Sequence, residues 1–163
     1  NYPIAIIFTH ILYDATLFYG KDIFLNYEDW LIKTINYIKQ IKPINWIIKC
    51  HPANEVKNIR DNKSFSEIDT IKSFFGTIPS YVKIIKPSSN ESTLSLYKFI
   101  DYCITVRGTV GIEAACFGIP VITAGTGRYD NLGFTIDSDS KAEYFLKLKN
   151  IIKYKKYSKK KLI

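Results

Sequence analysis

The stretch Tyr102-Cys-Ile-Thr-Val-Arg107-Gly108-Thr109-Val110-Gly111-Ile-Glu113-Ala-Ala-Cys-Phe-Gly118-Ile-Pro120-Val-Ile-Thr-Ala-Gly125 reads as a buried strand, a glycine-bearing turn, a short helix and a second buried strand. Residues 102–106 form a β-rich apolar run without polar alternation, as a strand covered on both faces requires, and residues 120–123 repeat that character after the helix. Two such strands joined by a helix make a parallel β-α-β unit. Arg107-Gly108-Thr109 then falls between the carboxyl end of the first strand and the amino end of the helix, where unsatisfied backbone N–H groups and the helix dipole favour an anion. Glu113 lies one helical turn beyond Thr109 on the same face, placed to accept hydrogen bonds from hydroxyls of the molecule that brings the anion. A phosphate beside a sugar hydroxyl describes a nucleotide. Gly108 and Gly111 also fit a plainer role in tight turning and close helix–sheet packing, which Ala114 and Ala115 suit as well.

The β-α alternation continues outward from this unit. Further strands are expected over residues 3–8, 44–49, 82–85 and 134–136. A helix capped by Asn26 and closed by Pro43 has Trp30, Leu31, Thr34, Ile35, Ile38 and Ile41 on one face. Others are expected over residues 66–75, with Ile68, Ile71, Phe74 and Phe75 at helical spacing, and over residues 93–100. The last runs from Lys141 into the tail, with Tyr144, Phe145, Leu148, Ile151 and Ile152 inward, and Ser140 and Glu143 form a capping box at its start. Residues 55–64 read as polar and irregular. The pattern predicts one α/β domain over residues 1–163: a Rossmann-like parallel sheet of about six strands in the order 3-2-1-4-5-6, with helices on both faces.

That topology places His51, held by Pro52 at the end of the second strand, on the same rim as Arg107, where it can donate to a phosphate oxygen. A histidine satisfied by a loop carbonyl is the plainer reading of an isolated His-Pro pair. Residues 9–20, which contain His10 and Asp14, are too many for a tight turn, and loops of that length at a strand end are often functional. Asp137-Ser138-Asp139 has the spacing of a divalent-ion pair, but helix capping accounts for it and no metal is expected.

Of the 163 residues 47% are hydrophobic and 23% charged, as in a soluble globular domain, and no apolar run is long enough to span a bilayer. The expected location is the cytoplasm. The absence of methionine raises the expectation of a piece of a longer protein, with an upstream portion missing. Cys50, Cys103 and Cys116 lack Cys-x-x-Cys spacing and sit among apolar residues, which fits core packing in a reducing compartment; Cys50 adjoins His51, but neighbours in an extended segment point to opposite faces. The net charge of +8 is concentrated at the end, where residues 147–163 hold eight lysines and no acid. A nucleic-acid binder would spread basic groups over its folded surface, so no nucleic acid is expected. A solvated helix end is the plainer account of the tail, and peripheral contact with an anionic membrane is the alternative.

Trp46-Ile-Ile-Lys49-Cys-His51-Pro52 and Thr105-Val-Arg107-Gly108-Thr109-Val110-Gly111-Ile-Glu113-Ala-Ala-Cys-Phe-Gly118-Ile-Pro120-Val-Ile together resemble the bacterial capsule polysaccharide biosynthesis family. That family is similar to two-domain glycosyltransferases of the GT-B architecture, and the likeness extends over nearly the whole chain but only the second, nucleotide-sugar-binding half of the fold. The resemblance implies a metal-independent glycosyltransferase needing no cofactor, with a CMP- or UDP-linked sugar donor and a polysaccharide or glycolipid acceptor. It implies that His51, with Pro52, contacts the donor phosphate and serves catalysis, that Gly108, Thr109 and the following Val110 and Gly111 hold it with Arg107, and that Glu113 holds the ribose. The catalytic base would lie in the missing domain, Asp14 being the one local candidate, so these residues alone would bind a donor without transferring it. A nucleotide-sugar 2-epimerase shares the architecture but usually carries Ser-Gly-Gly where this chain has Arg107-Gly108-Thr109. A non-catalytic nucleotide-binding module of a capsule assembly or export complex is the third reading.

Overall fold

A computed structural model describes residues 2–12, 20–41, 43–60, 62 and 67–157. Its centre is a parallel sheet of β1 (Ile4–Phe8), β2 (Asn45–Lys49), β3 (Val82–Ile85), β4 (Tyr102–Thr105) and β5 (Val121–Thr123) in the order β3-β2-β1-β4-β5. The expected architecture and strand order are present with five strands instead of six. Ile136 makes a single parallel bridge to Ile122, and residues 134–136 go no further as a strand. Gly133 enters at φ 84°, and the Asp137 carboxylate that follows accepts from the Thr123 hydroxyl and the Asn131 N–H, so the chain is pulled off the edge on both sides of the bridge.

The helices are α1 (Tyr27–Ile38), α2 (Ala53–Arg60), α3 (Glu67–Phe75), α4 (Thr93–Leu96), α5 (Val110–Cys116) and α6 (Lys141–Lys149), with a 3-10 turn at Ile151–Lys153. None of those described is long and apolar enough to cross a membrane. The Asn26 side chain caps α1 by accepting from the Asp29 N–H at 2.7 Å, and Trp30, Leu31, Thr34, Ile35, Ile38 and Ile41 are all buried. With Ile71 of α3 and Tyr144, Leu148 and Ile151, they cover the sheet face carrying Ala5, Ile7, Ile48 and Ile104. The opposite face, Ile6, Phe8, Cys103 and Val121, is covered by Tyr97 and Ile100 after α4 and by Ala114 and Ala115 of α5. Ile152, expected inward, is exposed because α6 stops at Lys149 and the tighter turn rotates the next side chains.

Three local details differ from the sequence expectations. Residues 53–60 are helical, not irregular, although Val56 and Ile59 face solvent and provide no inward stripe. The crossover before β4 is a single turn of helix, not eight residues. Ser140 caps α6 through the Glu143 N–H at 3.2 Å, while Glu143 returns to the N–H of Asp139, one residue outside the expected box.

Candidate functional site

The carboxyl ends of β1, β2 and β4 form one rim, and side chains stitch it together. Phe8 pairs with Lys49, so His10 and His51 follow their strands at the same offset. The Thr9 hydroxyl donates to the Lys49 carbonyl at 3.2 Å and accepts from the His51 N–H at 3.0 Å. His10 crosses toward the turn after β4: its Nε2 accepts from the Val106 N–H at 3.2 Å and lies 3.1 Å from the Thr105 hydroxyl. The ring stacks on Tyr27 at 4.3 Å and meets the edge of Trp30 at 5.7 Å. Because Nε2 accepts a backbone N–H, the ring proton is assigned to Nδ1. In His51 the assignment is reversed. Nδ1 accepts from the Ala53 N–H at 3.2 Å, so Nε2 carries the proton, the form that donates to an anion. In the sequence His10 is legible only as part of a long loop; its offset from an apolar strand, matching that of His51, is the available signal.

The glycine turn sits directly beside His10. A Cβ on Gly108 would lie 3.2 Å from the Thr105 hydroxyl and 3.4 Å from His10 Cε1. Gly111 serves close packing: a Cβ there would come 2.4 Å from the Tyr129 hydroxyl, which donates to the Gly108 carbonyl at 2.7 Å. Thr109 is exposed at the start of α5 and makes no side-chain cap, while the Val110 carbonyl accepts from the Tyr97 hydroxyl at 3.3 Å. Tyr97 also donates to Glu113 Oε2 at 3.0 Å. Burial first, and then the Glu113 charge, push the Tyr97 phenol well above its ordinary value, so it remains a donor at any physiological pH.

Arg107 turns the other way. Its guanidinium pairs with Asp22, and its stem packs against Gly127. Residues 20–22 are further strapped to the β5 end by the Asp22–Gly125 bridge and by Lys21, whose N–H donates to the Thr126 hydroxyl at 2.6 Å. Gly125 is required there, with φ 121° and the Lys21 carbonyl 2.7 Å from where a Cβ would stand. A recess of about 210 Å³, open mouth included, lies beside this strap among Asp22, Tyr27, Trp30, Val106 and Ala124. That is below the size that encloses a nucleotide. Asp14 lies outside the described residues.

Beneath the His51 turn is a buried carboxyl that the sequence did not flag. Glu67, the first residue of α3, is 2% exposed and is reached by the Asn54 amide. Burial pushes it up to about 7, against the polar surroundings supplied by Thr9, Asn54, the His51 backbone and Cys50. The Cys50 thiol is fully buried and pushed far above its ordinary value, first by burial and then by Glu67, so it is no partner for His51 in nucleophilic chemistry. The signal for Glu67 was slight: an acid in a first helical turn normally faces solvent.

No protein-family model matches the sequence, and no curated protein matches it. Solved structures do match in fold. One is MnaA of S. aureus, solved with UDP, at a TM-score of 0.60 and 15% identity over 94% of this chain and 37% of that one. Another is the UDP-GlcNAc 2-epimerase of Methanocaldococcus jannaschii in complex with UDP-GlcNAc and UDP, at 0.59 and 19% over 96% and 40%. A third is KpsC of Thermosulfurimonas dismutans, a beta Kdo 2,4 transferase, at 0.57 and 16% over 88% and 43%. This chain therefore spans less than half the length of each, and it has the Rossmann-like fold of one half of a GT-B-like protein.

Proposed function

We propose that the chain is the donor-binding half of a glycosyltransferase of bacterial capsule or surface polysaccharide synthesis, taking a nucleotide-activated sugar on the carboxyl rim of its sheet. The observation that carries this is the joining of His51, through Thr9 and His10, to the Gly108 turn, which puts a donating imidazole and the start of α5 on one edge. Charge growing on a departing phosphate is best stabilised by such preorganised donors, and no metal is needed for it. Arg107 joins them only by leaving Asp22. The acceptor hydroxyl and its base belong to a facing domain, so the residues described here bind a donor and transfer nothing by themselves. A nucleotide-sugar 2-epimerase is the second reading, since structures similar in fold include UDP-GlcNAc 2-epimerases.

Calorimetry with UDP, CMP and inorganic phosphate tests the site. We expect dissociation constants on the order of 0.1 to 1 mM for the better nucleotide, because an open half-cleft buries little of it. Glu113→Ala is expected to weaken that nucleotide about tenfold, one hydrogen bond to a charged group, and phosphate hardly at all. Equal losses for both would remove the ribose assignment, and no nucleotide binding would remove the site. Analysis of products with CMP- and UDP-sugars, using a chain that includes the facing domain, separates transfer from epimerisation.

Lys156 and Tyr157 lie away from this rim. Tyr157 donates its N–H to the Gly118 carbonyl at 2.7 Å and Lys156 pairs with Asp101 at 3.4 Å, both at the amino end of the strands. We propose that the lysines of the tail meet an anionic membrane, at about 1 kcal/mol each near the surface. Replacing Lys155, Lys156, Lys159, Lys160 and Lys161 by Gln should reduce sedimentation with phosphatidylglycerol vesicles at least tenfold. Unchanged sedimentation would leave the tail a solvated basic segment.

A further inference from the structure

Burying a carboxyl costs several kcal/mol unless its surroundings satisfy it, and nothing about starting α3 requires that Glu67 be inside. Its neighbours indicate why it is there. Asn54, 3% exposed on α2, uses one amide nitrogen twice, donating to Glu67 and, at 3.3 Å, to the His10 carbonyl. Its backbone N–H donates to the His51 carbonyl at 3.0 Å. Through Asn54, on the helix that follows the second strand, Glu67 is therefore tied to the ends of both histidine-bearing strands.

We propose that Glu67 is a positioning residue, a buried carboxyl that holds the His10 and His51 loops in mutual register and thereby sets the geometry of the nucleotide-binding rim. The inference rests on the donor-site reading above for its functional consequence, but the linkage itself does not. The titratable group that faces Glu67 is Cys50 at the end of β2, and the backbones of His10 and His51 are reached through Asn54. Lys49 acts on Cys50 from the same strand. From α2 comes the neutral Asn54, and on α3 itself Asp69 is exposed. Desolvation dominates, so the carboxyl exchanges its proton near pH 7. Ionised, it accepts from the Asn54 amide on one oxygen, and its other oxygen is buried with no hydrogen-bond partner among the described residues. Protonated, one oxygen becomes a donor that must find an acceptor, and Asn54 shifts with it, moving its contacts to His10 and His51 together.

Nuclear magnetic resonance between pH 5 and 8.5 tests this. In the wild-type chain the Glu67 carboxyl carbon, the Asn54 side-chain amide and the His51 backbone amide should share one inflection near pH 7. Glu67→Gln should abolish it at Asn54 and His51 while the rest of the spectrum stays dispersed. Asn54→Ala, which spares the carboxyl, should remove the response of the His10 loop and that of His51. In parallel, the UDP dissociation constant of the wild type should change at least threefold between pH 6 and 8 and that of Glu67→Gln less than 1.5-fold. An inflection that persists in Glu67→Gln, or a carboxyl titrating near its ordinary value, overturns the proposal. If UDP fails to bind the wild type while the shared inflection is present, the donor-site reading falls and the linkage between the two loops stands.

Discussion

Glu67→Gln is expected to gain stability over the wild type as pH rises from 4.5 to 8, by about 3 kcal/mol in all. The sign follows from which state holds the proton. Below pH 4.5 the carboxyl is protonated folded and unfolded, and it contributes its full stabilisation. Between 4.5, the ordinary value, and about 7 in the fold, the native state keeps a proton that the unfolded chain has released, so stability falls with rising pH. Above 7 both states are ionised and the curve is flat. A difference of this size between folded and unfolded values corresponds to about 3 kcal/mol. Urea unfolding of both chains at half-unit pH steps measures it, and taking their difference removes the other titrating groups. A difference that does not change with pH would mean that Glu67 is hydrated in the fold.

Gly111→Ala is expected to cost about 2–3 kcal/mol, an overpacking penalty in a place that cannot relax. The added methyl group meets the Tyr129 hydroxyl at 2.4 Å, and Tyr129 is 6% exposed, stacked on Phe134 at 6.0 Å and bonded to the Gly108 carbonyl. Tyr129→Phe alone should cost about 1 kcal/mol for the lost hydrogen bond. The double variant should cost less than the sum, because removing the hydroxyl removes the worst contact. Strict additivity in denaturant unfolding would show that Tyr129 swings away without resistance, and the packing account of Gly111 would then be wrong.

What local sequence determines here is whatever repeats with a short period or sits within a few residues of its partner. The apolar runs of β1, β2, β4 and β5, the face from Trp30 to Ile41 and the Asn26 and Ser140 caps were all legible because each is read within a turn or two of the chain. The alternation of strand and helix then leaves few topologies, and the observed order β3-β2-β1-β4-β5 is the expected one short of its last strand. α2 was missed because its exposed Val56 and Ile59 give a helix without an inward stripe. At the site, His51 and the Gly108 turn could be placed on one rim from the strand ends alone. Only the tertiary structure decided that Arg107 pairs with Asp22, 85 residues away, and that Tyr129 fills the space left by Gly111. It also decided that His10 bridges the two halves of the rim and that Glu67 is buried beneath them. These depend on contacts between segments far apart in sequence, where the identity of one partner says nothing of the other until the sheet has brought them together.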